Sequence, residues 1–180
     1  IALLGTLAAA VLAIPLALLA ARNVTTARIL RFFTRRSLDT IRSVDILVWA
    51  LIWINVVGLG PFAGALAIMT SDLGSFGKLF SEAIEAADRK PLEGVTSTGG
   101  GRILGVRFGI LPEVFPVLAS QVLYYFESNT RSATTIGIVG AGGIGQPLAE
   151  AIRTLELQQV SFIILLILAA VTAIDFVSSK

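Results

Sequence analysis

Apolar residues run along this chain in long blocks, not in the alternation of a strand or the narrow stripe of a water-soluble helix. Residues 1–21 are apolar apart from Thr6, and at ~1.5 Å per residue such a block reaches across the ~30 Å of a bilayer's hydrocarbon. Pro15 predicts a kink in it. A second block, residues 44–60, carries Trp49 and Trp53 and stops at Gly58-Leu59-Gly60-Pro61, where two glycines and a proline predict a tight reversal. The third, 62–80, holds Thr70, Ser71 and Asp72 near its middle, and the fourth covers 112–136. In the last, 160–174, only Ser161 and Thr172 are polar. Between the blocks, 22–42 reads as a membrane-surface stretch with an amphipathic helix around Ile29, Leu30, Phe32 and Phe33. The segment 78–107 is polar and glycine-rich, and 146–156 reads as a short helix. The pattern predicts an all-α, polytopic transmembrane helix bundle of about five spans, forming one domain over 1–180. Because the chain opens on Ile1 inside an apolar run, without Met or a charged leader, it reads as an internal piece of a longer protein whose earlier spans are missing.

Composition agrees with a membrane protein: 55% of residues are hydrophobic and 14% charged, against about a quarter charged in soluble domains. A net charge of +2 gives no reason to expect a nucleic-acid partner. The chain has no Cys and no His. Thiol nucleophiles, disulfides, Cys/His zinc sites, imidazole bases and haem ligation by those residues are therefore excluded. The placement of basic residues is more telling than their sum. Six lie in 22–42, five in 78–107 (Lys78, Arg89, Lys90, Arg102, Arg107), and Lys180 makes twelve on one side of the five-span topology, against Arg131 and Arg153 on the other. That bias puts the long loops and the C-terminus in the cytoplasm.

Two motifs imitate nucleotide sites. Gly140-Ala141-Gly142-Gly143-Ile144-Gly145 fits G-x-G-x-x-G and follows the strand-like residues 135–139. No acid stands about 20 residues on, however, and an apolar span follows. The motif reads instead as a reversal whose small residues let helices approach closely. Gly77-Lys78 lacks the first glycine and the Ser or Thr of a Walker A loop, since Asp72 and Leu79 occupy those places.

The densest polar cluster at membrane depth is 127–135, with Glu127, Ser128, Asn129, Arg131, Ser132 and Thr135. Glu127 and Arg131 are spaced as a helical ion pair, acid first. Charges at this depth line a wet path, or they merely reach the outer headgroups. The added amide and hydroxyl groups favour a path, and an Arg with such donors suits a tetrahedral oxyanion. Asp72 either lines the same path or caps a helix that restarts after a break. A rival of another class, an intramembrane enzyme with Asp72 and Glu127 as a carboxylate pair, requires those two side chains to converge.

Residues 82–88 extend the third helix out of the membrane, Arg89-Lys90-Pro91 ends it, and 92–98 can form a short helix stopped by Gly99-Gly100-Gly101. Here the chain resembles the membrane subunits of binding-protein-dependent ABC importers. Their cytoplasmic signature is matched by Glu93, Gly99, Leu111 and Pro112 at the expected spacing, with Gly94 and Val95 where that family has two alanines and Gly109 at a usually apolar position. The strings Ser81-Glu82-Ala83-Ile84-Glu85-Ala86, Phe126-Glu127-Ser128-Asn129-Thr130-Arg131-Ser132-Ala133-Thr134 and Gly58-Leu59-Gly60-Pro61-Phe62-Ala63-Gly64 are similar to the permease of phosphonate ABC importers. The turn Gly140, Gly142, Gly143 and Gly145 is shared with methionine-type permeases. The resemblance implies a type I importer permease fold in the bacterial cytoplasmic (inner) membrane. It implies a homodimer of this chain, two ATPase subunits that bind ATP and magnesium, and a periplasmic substrate-binding protein. Residues 82–112 would couple to the ATPase, and the chain itself would hold no cofactor and catalyse no covalent step. The implied cargo is phosphonate or a related phosphorus oxyanion such as phosphite. A permease of the same superfamily for another solute, such as an amino acid, is the alternative.

Overall fold

The computed structural model describes residues 1–25, 27–88 and 90–178, with the backbone alone at 102, 175, 177 and 178. Arg89 and Lys180, counted above among the basic residues, lie outside the described residues, as does the side chain of Arg102. Every described element is helical: α1 (Ala2–Ala20), α2 (Arg28–Ser43), α3 (Ile46–Val57), α4 (Pro61–Ala86), α5 (Lys90–Ser97), α6 (Arg102–Gly105), a π-helical turn (Val106–Ile110), α7 (Leu111–Ile136), a second π-helical turn (Gly137–Ala141), α8 (Gly145–Arg153) and α9 (Leu157–Ser178).

Among the described residues, three helical runs are long and apolar enough to cross a membrane: Ala2–Ala20, Ile103–Ala141 and Leu157–Ile174. A fourth results if α2 and α3, joined through a break, count as one span. The expected figure of five is thus approximate, for two reasons. The second block is shorter than expected: Asp45 caps α3 by accepting from the Leu47 amide at 2.8 Å, and Gly58 ends it with φ +89°, leaving 12 residues. That length covers ~18 Å, too little alone for ~30 Å of hydrocarbon. The third block forms a helix of 26 residues, long enough to cross, but Asp72, Lys78, Glu82 and Glu85 lower its apolarity. Residues 135–139, strand-like in sequence, are helical, so the Gly140 motif follows a helix and the dinucleotide reading fails on local structure.

The chain divides into two compact units. The first comprises Ile1–Ala9, Ser43–Asp72 and Leu123–Lys180. Its core gathers Ala50, Ala67, Ile68, Ile136 and Ala141, with Trp49, Trp53 and Ala133 packed against them. Small residues allow this close approach: a Cβ on Gly5 would meet Ile68 Cβ at 2.8 Å. The second comprises Ala10–Arg42 and Leu73–Val122. Phe76 and Phe80 stack in it at 5.1 Å, and Leu38 of α2 fits against Gly77, where any Cβ would collide with it.

Candidate functional site

Helical geometry sorts the polar cluster of α7 onto two faces. Asn129, Ala133 and Ile136 are spaced at i, i+4, i+7 and turn inward: Asn129 is 4% exposed, and Ile136 is fully buried. Glu127 and Arg131 lie about 200° from Asn129 at 3.6 residues per turn, and they pair at 3.1 Å across one turn. Arg131 and Thr135 are exposed on this second face, whereas Ser128 and Ser132 are half-buried at its border. Ser132 Oγ donates back to the Ser128 carbonyl at 3.2 Å, so its proton is already used by its own helix.

The inward face carries a closed polar knot. Asn129 Nδ2 donates to Thr6 Oγ1 at 2.8 Å and to Asp72 Oδ2. Thr6 is fully buried and Asp72 is 3% exposed, so α1, α4 and α7 meet at three polar side chains sealed from solvent. Polar groups buried this way are tolerated because each finds a partner. Asp72 stands in the middle of an unbroken helix, which excludes the capping alternative. It is turned to Asn129, whereas Glu127 pairs with Arg131 on the far face, so the two carboxylates do not converge as the enzyme reading requires. Thr6 was the residue missed. Its signal was its standing as the one polar side chain in a block of 21, but nothing in the sequence named its partners.

In the second unit, α5 ends in a Schellman motif. The Gly99 amide donates to the Thr96 carbonyl at 3.0 Å and the Gly100 amide to the Val95 carbonyl at 3.2 Å, with Gly99 at φ +82°. Glu93, Gly94 and Gly99 are exposed, and a Cβ on Gly94 would meet nothing within 4 Å. Val95 is half-buried, with its Cγ1 and carbonyl against Gly100, so its bulk is partly absorbed within the chain. The helix is seated by two glycines four residues apart. A Cβ on Gly105 would meet Leu92 Cδ1 at 2.6 Å, and one on Gly109 would meet the Leu92 backbone at 3.0 Å. Gly109, a departure from the family's apolar residue, is thus the notch in which the backbone of Leu92 rests. Leu111 and Pro112 follow directly, opening α7, with Leu111 half-buried and Pro112 exposed.

At the other end of α7, Gly140, Gly142 and Gly143 have φ of +100°, +75° and +76°. The Gly60 amide donates to the Gly140 carbonyl at 3.1 Å, and a Cβ on Gly142 would strike Pro61. Gly145 packs against Gly137, where its own Cβ would lie 2.9 Å from the Gly137 Cα. The motif is therefore a packed turn against the 58–64 reversal.

Comparison with known proteins gives one consistent result. The chain is 38% identical over 178 residues to the phosphate-import permease protein PhnE of Mycolicibacterium smegmatis, covering 97% of this chain and 34% of that protein. It is 37% identical over 171 residues to the phosphite transport system permease protein PtxC of Stutzerimonas stutzeri, covering 95% of this chain and 62% of that one. The chain thus spans less than two thirds of the length of these relatives. Among solved structures, an inward-facing MetNI methionine ABC transporter matches 99% of this chain and 88% of its own with a TM-score of 0.79 at 17% identity, which is a likeness of fold. The sequence pattern of the binding-protein-dependent transport system inner membrane component matches residues 13–179, and the chain belongs to that family.

Proposed function

We propose that this chain is the transmembrane subunit of an ATP-driven importer that carries phosphonate or a related phosphorus oxyanion, phosphite or a phosphate ester, across the bacterial cytoplasmic membrane. The observation that carries this reading is the exposed face of α7, where Arg131 stands beside Glu127 and Thr135 while Asn129 on the opposite face anchors the helix. A guanidinium fork matches the geometry of a tetrahedral oxyanion. The phosphate and phosphite named for the relatives fit the same chemistry. On this reading Glu127, Arg131 and Thr135 line the path with Ser128 and Ser132 at its edge, and Asp72 and Asn129 hold the frame behind it.

The working unit is a homodimer of one permease domain per chain, with two ATPase subunits, a periplasmic binding protein and the C-terminus in the cytoplasm. ATP and magnesium belong to the ATPase, and this chain makes or breaks no covalent bond. The segment 82–112 docks the ATPase through the exposed Glu93 and Gly94, and Leu111-Pro112 relays its movement into α7.

Two measurements test this. The cognate binding protein is expected to bind a phosphorus oxyanion, and an amino acid as its only ligand would overturn the substrate. In reconstituted vesicles Arg131→Ala is expected to cut uptake at least tenfold, by analogy with the loss of a charge-assisted contact worth about 1.5–3 kcal/mol, with the complex still assembled. Normal uptake by that variant would remove Arg131 from the path.

A further inference from the structure

Helix α2 and the residues just before it carry a cluster that lies outside the path proposed above. Arg22, Arg28, Arg31, Arg35 and Arg36, with Asp39 as the one acid, line an open cavity of about 920 Å³, and Ile29, Phe32 and Phe33 complete its wall. The apolar members are bare: Ile29 is 75% exposed and Phe33 64%. The guanidinium groups divide into two sets. Arg35 pairs with Glu85 and donates from Nε to the Ala20 carbonyl at 2.9 Å, and Arg31 reaches the Thr25 carbonyl. Arg28 and Arg36 form no ion pair among the described residues, and Arg36 lies over the Phe32 ring at 5.6 Å. Asp39 is already engaged by Lys78 at 3.6 Å.

The Arg35 bond to Ala20 fixes where this cluster lies. Ala20 is the last residue of α1, a 19-residue apolar helix, so α2 is tied at the depth where the hydrocarbon of a bilayer gives way to headgroups. We propose that this cavity binds an anionic phospholipid of the leaflet in which α1 ends, with Arg28 and Arg36 on its phosphodiester and Ile29 and Phe33 against its acyl chains. Juxtamembrane arginines attract anionic headgroups, and a ligand with a phosphate and a hydrocarbon tail on one molecule satisfies both halves of the wall. An acidic soluble protein would match the charges and leave Ile29 and Phe33 without an apolar partner. The inference rests on α1 as a membrane span and not on which solute is carried.

The test is native mass spectrometry of the full-length transporter complex in detergent, titrated separately with phosphatidylglycerol and phosphatidylcholine. Phosphatidylglycerol is expected to be retained and phosphatidylcholine not. Arg28→Gln/Arg36→Gln is expected to weaken phosphatidylglycerol about thirtyfold, from roughly fivefold for each arginine near an anionic surface. Arg28→Lys/Arg36→Lys retains binding, and Phe33→Ser weakens it through the chains. Four results would each overturn the proposal: equal retention of the two lipids, an unchanged affinity in the Gln variant, displacement of the lipid by millimolar inorganic phosphate, or loss of the ATPase subunits from the Gln variant with lipid binding intact. The last would assign the surface to protein docking.

Discussion

Asn129 has two amide protons and uses both, one on Thr6 and one on Asp72. Removing it strands a carboxyl group and a hydroxyl in a sealed place, and each orphaned buried polar group costs about 1–3 kcal/mol. Asn129→Leu is therefore expected to lower the melting temperature of the detergent-solubilised protein more than Thr6→Val does, since the latter leaves only one N–H unmet. Asn129→Leu/Asp72→Leu should recover much of the loss, because replacing both partners by apolar groups avoids the orphan. A melting temperature unchanged by Asn129→Leu would mean that water reaches the knot. Asp72 and Asn129 were visible in the sequence as polar residues within apolar blocks, because hydrocarbon makes any polar residue conspicuous. Their pairing was not visible, since it joins positions 57 apart, and the bond to Thr6 joins positions 123 apart.

At the scale of elements, the seating of α5 is a backbone contact. The atoms that a Cβ on Gly109 would meet are the Leu92 backbone N and Cα at 3.0 Å and the Pro91 carbonyl carbon at 3.2 Å, none of which yields by rotating a side chain. Gly109→Val should displace α5, with an overpacking cost of about 1–3 kcal/mol. The expected signature is ATP hydrolysis that continues while uptake falls; normal transport by this variant would show that the seating is not needed for coupling. Gly94 differs in kind, because its Cβ position is open, and Gly94→Ala leaves the fold intact. The start and stop of α5 were readable from Pro91 and Gly99, which act locally. The amphipathic helix expected near Ile29 is present as α2, also a local matter of periodicity. The helical state of 135–139 was not readable, because its β-branched residues suit either element. Packing of Ile136 and Ala141 into a helical core decided it.

For the whole molecule, the twelve-to-two division of basic residues that a five-span topology would give predicts that a cytoplasm-active reporter fused at the C-terminus is functional and a periplasm-active one silent. The opposite pattern would reverse the topology. The sequence by itself determined that this is a helical membrane protein and which family it joins, and its basic residues set an expectation for the side its loops favour. These follow from block length, composition and short motifs, which act locally or against the bilayer as solvent. Only the tertiary structure decided that the polar residues of 127–135 split between a sealed knot and an open face. The same holds for Gly105 and Gly109 forming a seat and for α2 facing outward with bare apolar side chains. Those properties depend on which distant segment covers each face of a helix, and periodicity marks the faces without naming what covers them.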